Sequence, residues 1–186
     1  MIIYNEDARD ILRDMESNRV DLILTDPPYD LSEEDKSWFH NQFMRVSRNG
    51  VIVFSPPENQ WIHPVDQYGF WIKPISTKNT SRRYSRFVEM IFFYQTTVWN
   101  SERHWSQYSN VFTDLVEGAT KHPYEKPVSL IKRLLLNHSN VGDVILDPFA
   151  GSGTIGLVAK DNDREYILIE KEKEYCELIK ERIFFQ

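Results

Sequence analysis

ILDPFAGSGTIG, residues 145–156, is the stretch that decides the fold. An apolar run ends in an aspartate and a proline, and a glycine-rich turn then opens into a helix-forming segment. Gly151, Gly153 and Gly156 stand in G-x-G-x-x-G spacing between a predicted strand and a predicted helix. Glu170 closes the next predicted strand about 20 residues on, where a carboxylate can accept hydrogen bonds from ribose hydroxyls. The loop therefore suits any adenosine-containing cofactor, the NAD of an oxidoreductase included. A glycine turn that merely held helix against strand would account for Gly156, but not for Asp147 and Glu170 ending successive strands.

Topology separates these readings. A dinucleotide domain continues past the fingerprint through several more strands. Here one strand (164–170) and one helix (173–183) follow, so the rest of the sheet has to come from upstream and the order is permuted. Working outward, 1–4 reads as a short strand and 6–17 as an amphipathic helix with Ala8, Ile11, Leu12 and Met15 on one face. Residues 20–26 form a β-rich run suited to burial on both faces. Helical spacing follows at 36–47, then a strand at 51–55. Residues 70–75 and 87–95 read as two strands of a hairpin around a basic loop. Residues 96–121 show little periodicity and read mostly as loop, and 127–139 is a helix with proline near its start. Strands alternating with helices predict one α/β domain, 1–186, with a mostly parallel sheet.

Composition narrows the setting. The chain has 186 residues, 41% hydrophobic and 27% charged, in the range of an ordinary globular protein. No apolar run approaches the ~20 residues of a membrane helix. A single cysteine, Cys176, excludes an internal disulfide and fits a reducing, cytoplasmic setting; it reads as a small apolar residue of the last helix. No Cys/His spacing suits a metal. The net charge of -6 hides an asymmetry: residues 71–133 hold 10 Lys+Arg against 5 Asp+Glu. Lys73, Lys78, Arg82, Arg83 and Arg86 occur there without an intervening acid, with Tyr84 among them. That pattern suits a phosphate track beside a stacking surface, although a solvated charged face would look alike.

A second stretch, LILTDPPYDL (22–31), ends a buried strand with an aspartate, two prolines and a tyrosine. Proline cannot continue a hydrogen-bond ladder, so the chain is stopped and stiffened where a carboxylate and a ring emerge. SPPE (55–58) is a look-alike without the aromatic and reads as the turn ending the neighbouring strand.

TDPPY (25–29) followed by DPFAGSGT (147–154) resembles the beta-class DNA amino-methyltransferases, which use S-adenosylmethionine. The resemblance covers nearly the whole chain, through 2–12, WIKP (71–74), VEMIFFY (88–94), HPYEKP (122–127) and 165–183. It implies a permuted Rossmann-like methyltransferase fold and methyl transfer to an exocyclic amine of an extruded base. It also implies that the Asp26 carboxylate and the Pro27 carbonyl accept the amino hydrogens, that Pro28 stiffens the turn, and that the base stacks on Tyr29. Asp7, Ala8, Asp26, Lys126, Pro127, Asp147, Phe149, Gly151, Ser152, Gly153, Thr154 and Glu170 would then form the cofactor site. Double-stranded DNA would be the partner, with adenine N6 favoured over cytosine N4 by Asp rather than Ser at position 26. RNA as substrate, and a silent nucleic-acid-binding subunit, are the other readings; the intact DPPY string argues against the second. Where the family carries a target-recognition domain, this chain has only 96–121. Its candidate reading groups are Asn100, Arg103, His104, Gln107 and Asn110, with Trp99 and Trp105 beside them. The expected specificity is therefore short or relaxed, unless a homodimer lends a second surface.

Overall fold

The computed structural model describes residues 1–62, 64–73, 87–100, 109–115 and 125–184. Among the described residues eight strands form one sheet, in the order β1-β8-β7-β2-β3-β5-β4-β6. They are β1 (Ile2–Tyr4), β2 (Leu22–Thr25), β3 (Val51–Ser55), β4 (Gln67–Ile72), β5 (Val88–Tyr94), β6 (Val111–Phe112), β7 (Val144–Asp147) and β8 (Glu165–Ile169). Among them β5 alone runs opposite to the rest, antiparallel to both β3 and β4. The hairpin expected from the sequence is thus β4–β5. β6 was not legible in the sequence: two residues carry no periodicity, and Phe112 is buried only because β6 pairs with β4 at the sheet edge.

Helices cover both faces, as the doubly apolar strands require. Leu22, Leu24, Ile52 and Phe54 face α3 (Val128–His138), α4 (Thr154–Asp161) and α5 (Lys173–Phe184). Their neighbours Ile23, Val51 and Val53 face α1 (Ala8–Asp14) and α2 (Glu33–Val46). Cys176 lies buried in α5, in the structural role read for it, and burial raises its thiol. No described helix is long and apolar enough to cross a membrane.

One feature of the topology positions the site. β2 leads through α2 to β3 on one side, whereas β7 leads through α4 to β8 on the other. β2 and β7 pair directly, so their carboxyl ends flank the point where the winding reverses. Ligands of open α/β sheets bind in the crevice at such a point.

Candidate active site

TDPPY and the glycine loop leave the sheet at that crevice and are bonded to each other. The buried Thr25 hydroxyl donates to Asp147 Oδ1 at 2.8 Å, and the Phe149 amide donates to the same oxygen at 3.1 Å. Burial raises the Asp147 carboxyl to about 7 against these bonds.

On the β7 side the geometry is made by backbone. Gly151 and Gly153 have φ of 49° and 76°, left-handed angles that glycine adopts without strain. Glu170 accepts from the Gly151 amide through Oε2 and from the Glu172 amide through Oε1, both at 2.8 Å. Each carboxylate oxygen keeps a lone pair for a further donor. The Ser152 and Thr154 hydroxyls are 3.0 Å apart. Asp7 caps α1 by accepting from the Arg9 amide at 2.9 Å, and Asn5 joins that end of β1 to the Glu170 and Lys171 carbonyls. Ala8 is buried next to this cap and Phe149 packs edge-on to Phe39. The ends of β1, β8, β7 and β2 thus carry Asp7, Glu170, the glycine loop and Asp26 side by side.

Two glycines have a different reason from ligand approach. A Cβ on Gly153 would stand 2.9 Å from Ile179 of α5, and one on Gly156 would stand 2.4 Å from Leu168 of β8. Both let α4 close on its neighbours. At Gly153 an added Cβ therefore meets α5.

On the β2 side the geometry is made by side chains from far along the chain. Lys126 donates to Asp26 Oδ2 and lies 3.2 Å from Glu89 Oε2. The Tyr29 hydroxyl donates to Glu89 Oε1 at 2.9 Å, and Lys73 donates to the same oxygen. Rings of Phe54, Trp71 and Tyr29 surround the Lys126 ammonium at 5.2, 5.9 and 6.0 Å. Asp26 Oδ1 is buried and has no hydrogen-bond partner among the described residues. Burial raises the Asp26 carboxyl, with Lys126 offsetting only part and Glu89 adding to the rise. Burial would raise Glu89 too, but Lys126 and Lys73 together carry it below the ordinary range. Burial and the neighbouring Asp26 and Glu89 keep the Tyr29 phenol protonated far above its usual value.

Two braces hold these groups. Asn59, in the 3₁₀ turn Pro57–Asn59 that SPPE opens, donates to the Tyr29 carbonyl at 2.6 Å. Asn59 is itself held by the buried Lys36 of α2, which also donates to the Gln60 carbonyl at 3.0 Å. Beside Lys126 and Pro127, Glu125 pairs with Arg182 of α5, which donates to Thr154 Oγ1 at 3.1 Å.

Glu89, Lys36 and Asn59 were missed in the sequence. Glu89 left a signal: it is the one charge in the apolar run FVEMIFFY, and a buried strand rarely carries an acid without a task. Lys73, read as part of the phosphate track, instead pairs with Glu89; Lys78, Arg82, Arg83 and Arg86 lie outside the described residues. Asn100 donates to the Leu136 and Ser139 carbonyls and Asn110 to the Tyr68 carbonyl, so both amides serve packing. Arg103, His104, Trp105 and Gln107 lie outside the described residues.

A glycine loop that could hold an adenosine-type cofactor thus adjoins an acidic, aromatic-lined cluster. The chain belongs to the N6/N4 DNA methylase family, whose profile matches residues 50–181. It is 28% identical to the type II methyltransferase M2.DpnII of Streptococcus pneumoniae, over 98% of this chain and 89% of the relative. That alignment spans 243 positions against the 186 residues here, so it passes over residues that this chain lacks. The DNA adenine methyltransferase YhdJ of Escherichia coli is 47% identical over 34% of this chain and 22% of its own length. Among solved structures, the M1.HpyAVI–SAM complex superposes with a TM-score of 0.77 at 29% identity, covering 97% of this chain and 98% of that one.

Proposed function

We propose that this chain transfers a methyl group from S-adenosylmethionine to the N6 amine of an adenine extruded from double-stranded DNA. The observation that carries the reading is the buried Asp26 Oδ1, without a hydrogen-bond partner among the described residues, next to Thr25, which bonds to the strand that leads into the glycine loop. The residues fit the cofactor. Two left-handed glycines and the Glu170 carboxylate form the cradle, with Asp7, Ala8, Asp147, Phe149, Ser152, Thr154, Lys126 and Pro127 around it. When bound, S-adenosylmethionine supplies an electrophilic methyl group on a sulfonium.

The protein's own part is to make a poor nucleophile competent. An exocyclic amine delocalises its lone pair into the ring. Asp26 Oδ1 accepts one amino hydrogen and the Pro27 carbonyl the other, drawing the nitrogen toward a pyramidal geometry. Pro27 and Pro28 stiffen the turn, so little reorganisation remains at the moment of reaction. Tyr29 offers a stacking face worth ~1–3 kcal/mol, which offsets part of the extrusion cost. The raised proton affinity of Asp26 suits it to receive the proton that the methylated amine sheds.

Adenine rather than cytosine is supported by Asp at position 26 and by the adenine-methylating relative. Lys78, Arg82, Arg83 and Arg86 are proposed to position DNA through phosphates. Residues 96–121 leave little room for a reading element, which supports short or relaxed specificity. Incubation with labelled cofactor and unmethylated DNA, followed by nucleoside digestion and mass spectrometry, tests the reading. N6-methyladenine is expected; N4-methylcytosine would move the chain to the other amine, and no methylated base would defeat the proposal.

A further inference from the structure

Glu89 stands at the amino end of β5, the reversed strand, and so reaches the edge at which the other strands end. It is 3% exposed. Its two oxygens engage two groups beside Asp26 and one further cation: Oε1 takes the Tyr29 hydroxyl and Lys73, and Oε2 lies 3.2 Å from Lys126. Two carboxylates, Asp26 and Glu89, are thereby matched by two ammoniums, Lys73 and Lys126. A buried ionic cluster is a poor source of stability, because desolvation offsets most of the attraction. Its use has to be sought in what it fixes.

We propose that Glu89 is a positioning residue for methyl transfer: it anchors Lys126 and the Tyr29 hydroxyl so that Asp26 presents one oxygen, Oδ1, uncommitted to the target amine. This rests on the reading of the site as an amine methylase. Lys126 has three donors inside an aromatic cage, and its carboxylate partners here are Asp26 and Glu89. Without the Glu89 charge the ammonium would be free to bridge both Asp26 oxygens and cover the one the amine needs. The Tyr29 ring would lose the hydroxyl anchor that sets its plane at the same time.

The charges facing Asp26 are Lys126 and Glu89, with Asp147 across the crevice and the Tyr29 phenol beside it; those facing Glu89 are Lys73 and Lys126. Glu89 raises the proton affinity of Asp26, and Lys73 lowers that of Glu89. Glu89→Gln, which preserves shape and removes charge, should lower kcat by roughly 10–100-fold, as loss of a supporting partner commonly does. S-adenosylmethionine affinity by calorimetry should fall far less than kcat, because most of the proposed cofactor contacts lie on the β7 side and Lys126 keeps Asp26 as a partner. The acid limb of kcat should move to lower pH, and Glu89→Asp should recover part of the rate. Lys73→Met should move the acid limb the other way, to higher pH, because the site then holds a surplus negative charge.

A purely structural Glu89 would lower Tm but leave the acid limb of the folded enzyme in place; that result, or wild-type kcat in Glu89→Gln, overturns the inference while leaving the methylase reading intact. If Glu89→Gln does not fold, an unmoved limb in Lys73→Met overturns it equally. A wild-type protein that methylates no base removes both.

Discussion

The two halves of the crevice are built in opposite ways. The half at the ends of β1, β8 and β7 is held by backbone: left-handed glycines, amides donating to Glu170, and a capped helix at Asp7. The half at the ends of β2, β3, β5 and β4 is held by side chains that meet from far apart, Lys126 on Asp26, Tyr29 on Glu89 and Lys36 on Asn59. The first is a rigid cradle that needs little from the rest of the molecule. The second is a balanced set of buried charges, and it works only if every member arrives. Substitutions in the cradle should therefore be felt as lost affinity or stability, and those in the charged half as lost rate.

The sharpest way to break this contrast is Asp26→Ala. It removes the proposed acceptor on the amine, and methyl transfer should fall by ~10³-fold or more, while cofactor binding measured by calorimetry changes by a modest factor. Wild-type turnover in this variant would show that the charged half is not the reacting half.

Next in size is a pH effect at the seam between the halves. Asp147 is raised from 3.8 to about 7, so between those values the folded protein holds a proton that the unfolded chain has released. The contribution is complete below 3.8 and is lost as the pH rises through about 7. Urea unfolding of the wild type should show stability declining over that window. Asp147→Asn keeps an acceptor for Thr25 but cannot titrate, and its curve should be flatter. Parallel curves would mean that the group is not raised.

Within the cradle, Gly156→Val should cost about 1–3 kcal/mol of stability by overpacking against Leu168 and Ile183. A loss of cofactor affinity at unchanged stability would instead place Gly156 against the ligand. The smallest effect expected is that of Glu170→Ala, which should weaken S-adenosylmethionine by about 1–2 kcal/mol and leave kcat at saturation nearly unchanged. A fall in kcat with unaltered affinity would erase the distinction between the halves.

The same contrast explains what could be read before the fold was seen. The cradle was legible because each of its parts is local: G-x-G-x-x-G fixes a turn, an apolar run fixes a strand, and the acid at 170 follows from its spacing after Gly151 at the end of the next strand. Alternating apolar strands and amphipathic helices fixed the α/β class, and TDPPY lying upstream of the glycine loop pointed to the permuted order. Asp26 and Tyr29 were legible because the two prolines mark the end of β2. The tertiary structure decided the rest. It pairs β2 with β7 so that Thr25 meets Asp147, and it reverses β5 so that Glu89 reaches the edge where Asp26 and Tyr29 lie. It also brings Lys126 across the chain to Asp26 and turns Lys73 inward onto Glu89. Buried charges take their meaning from partners, and partners distant in sequence leave no period or spacing by which to find them.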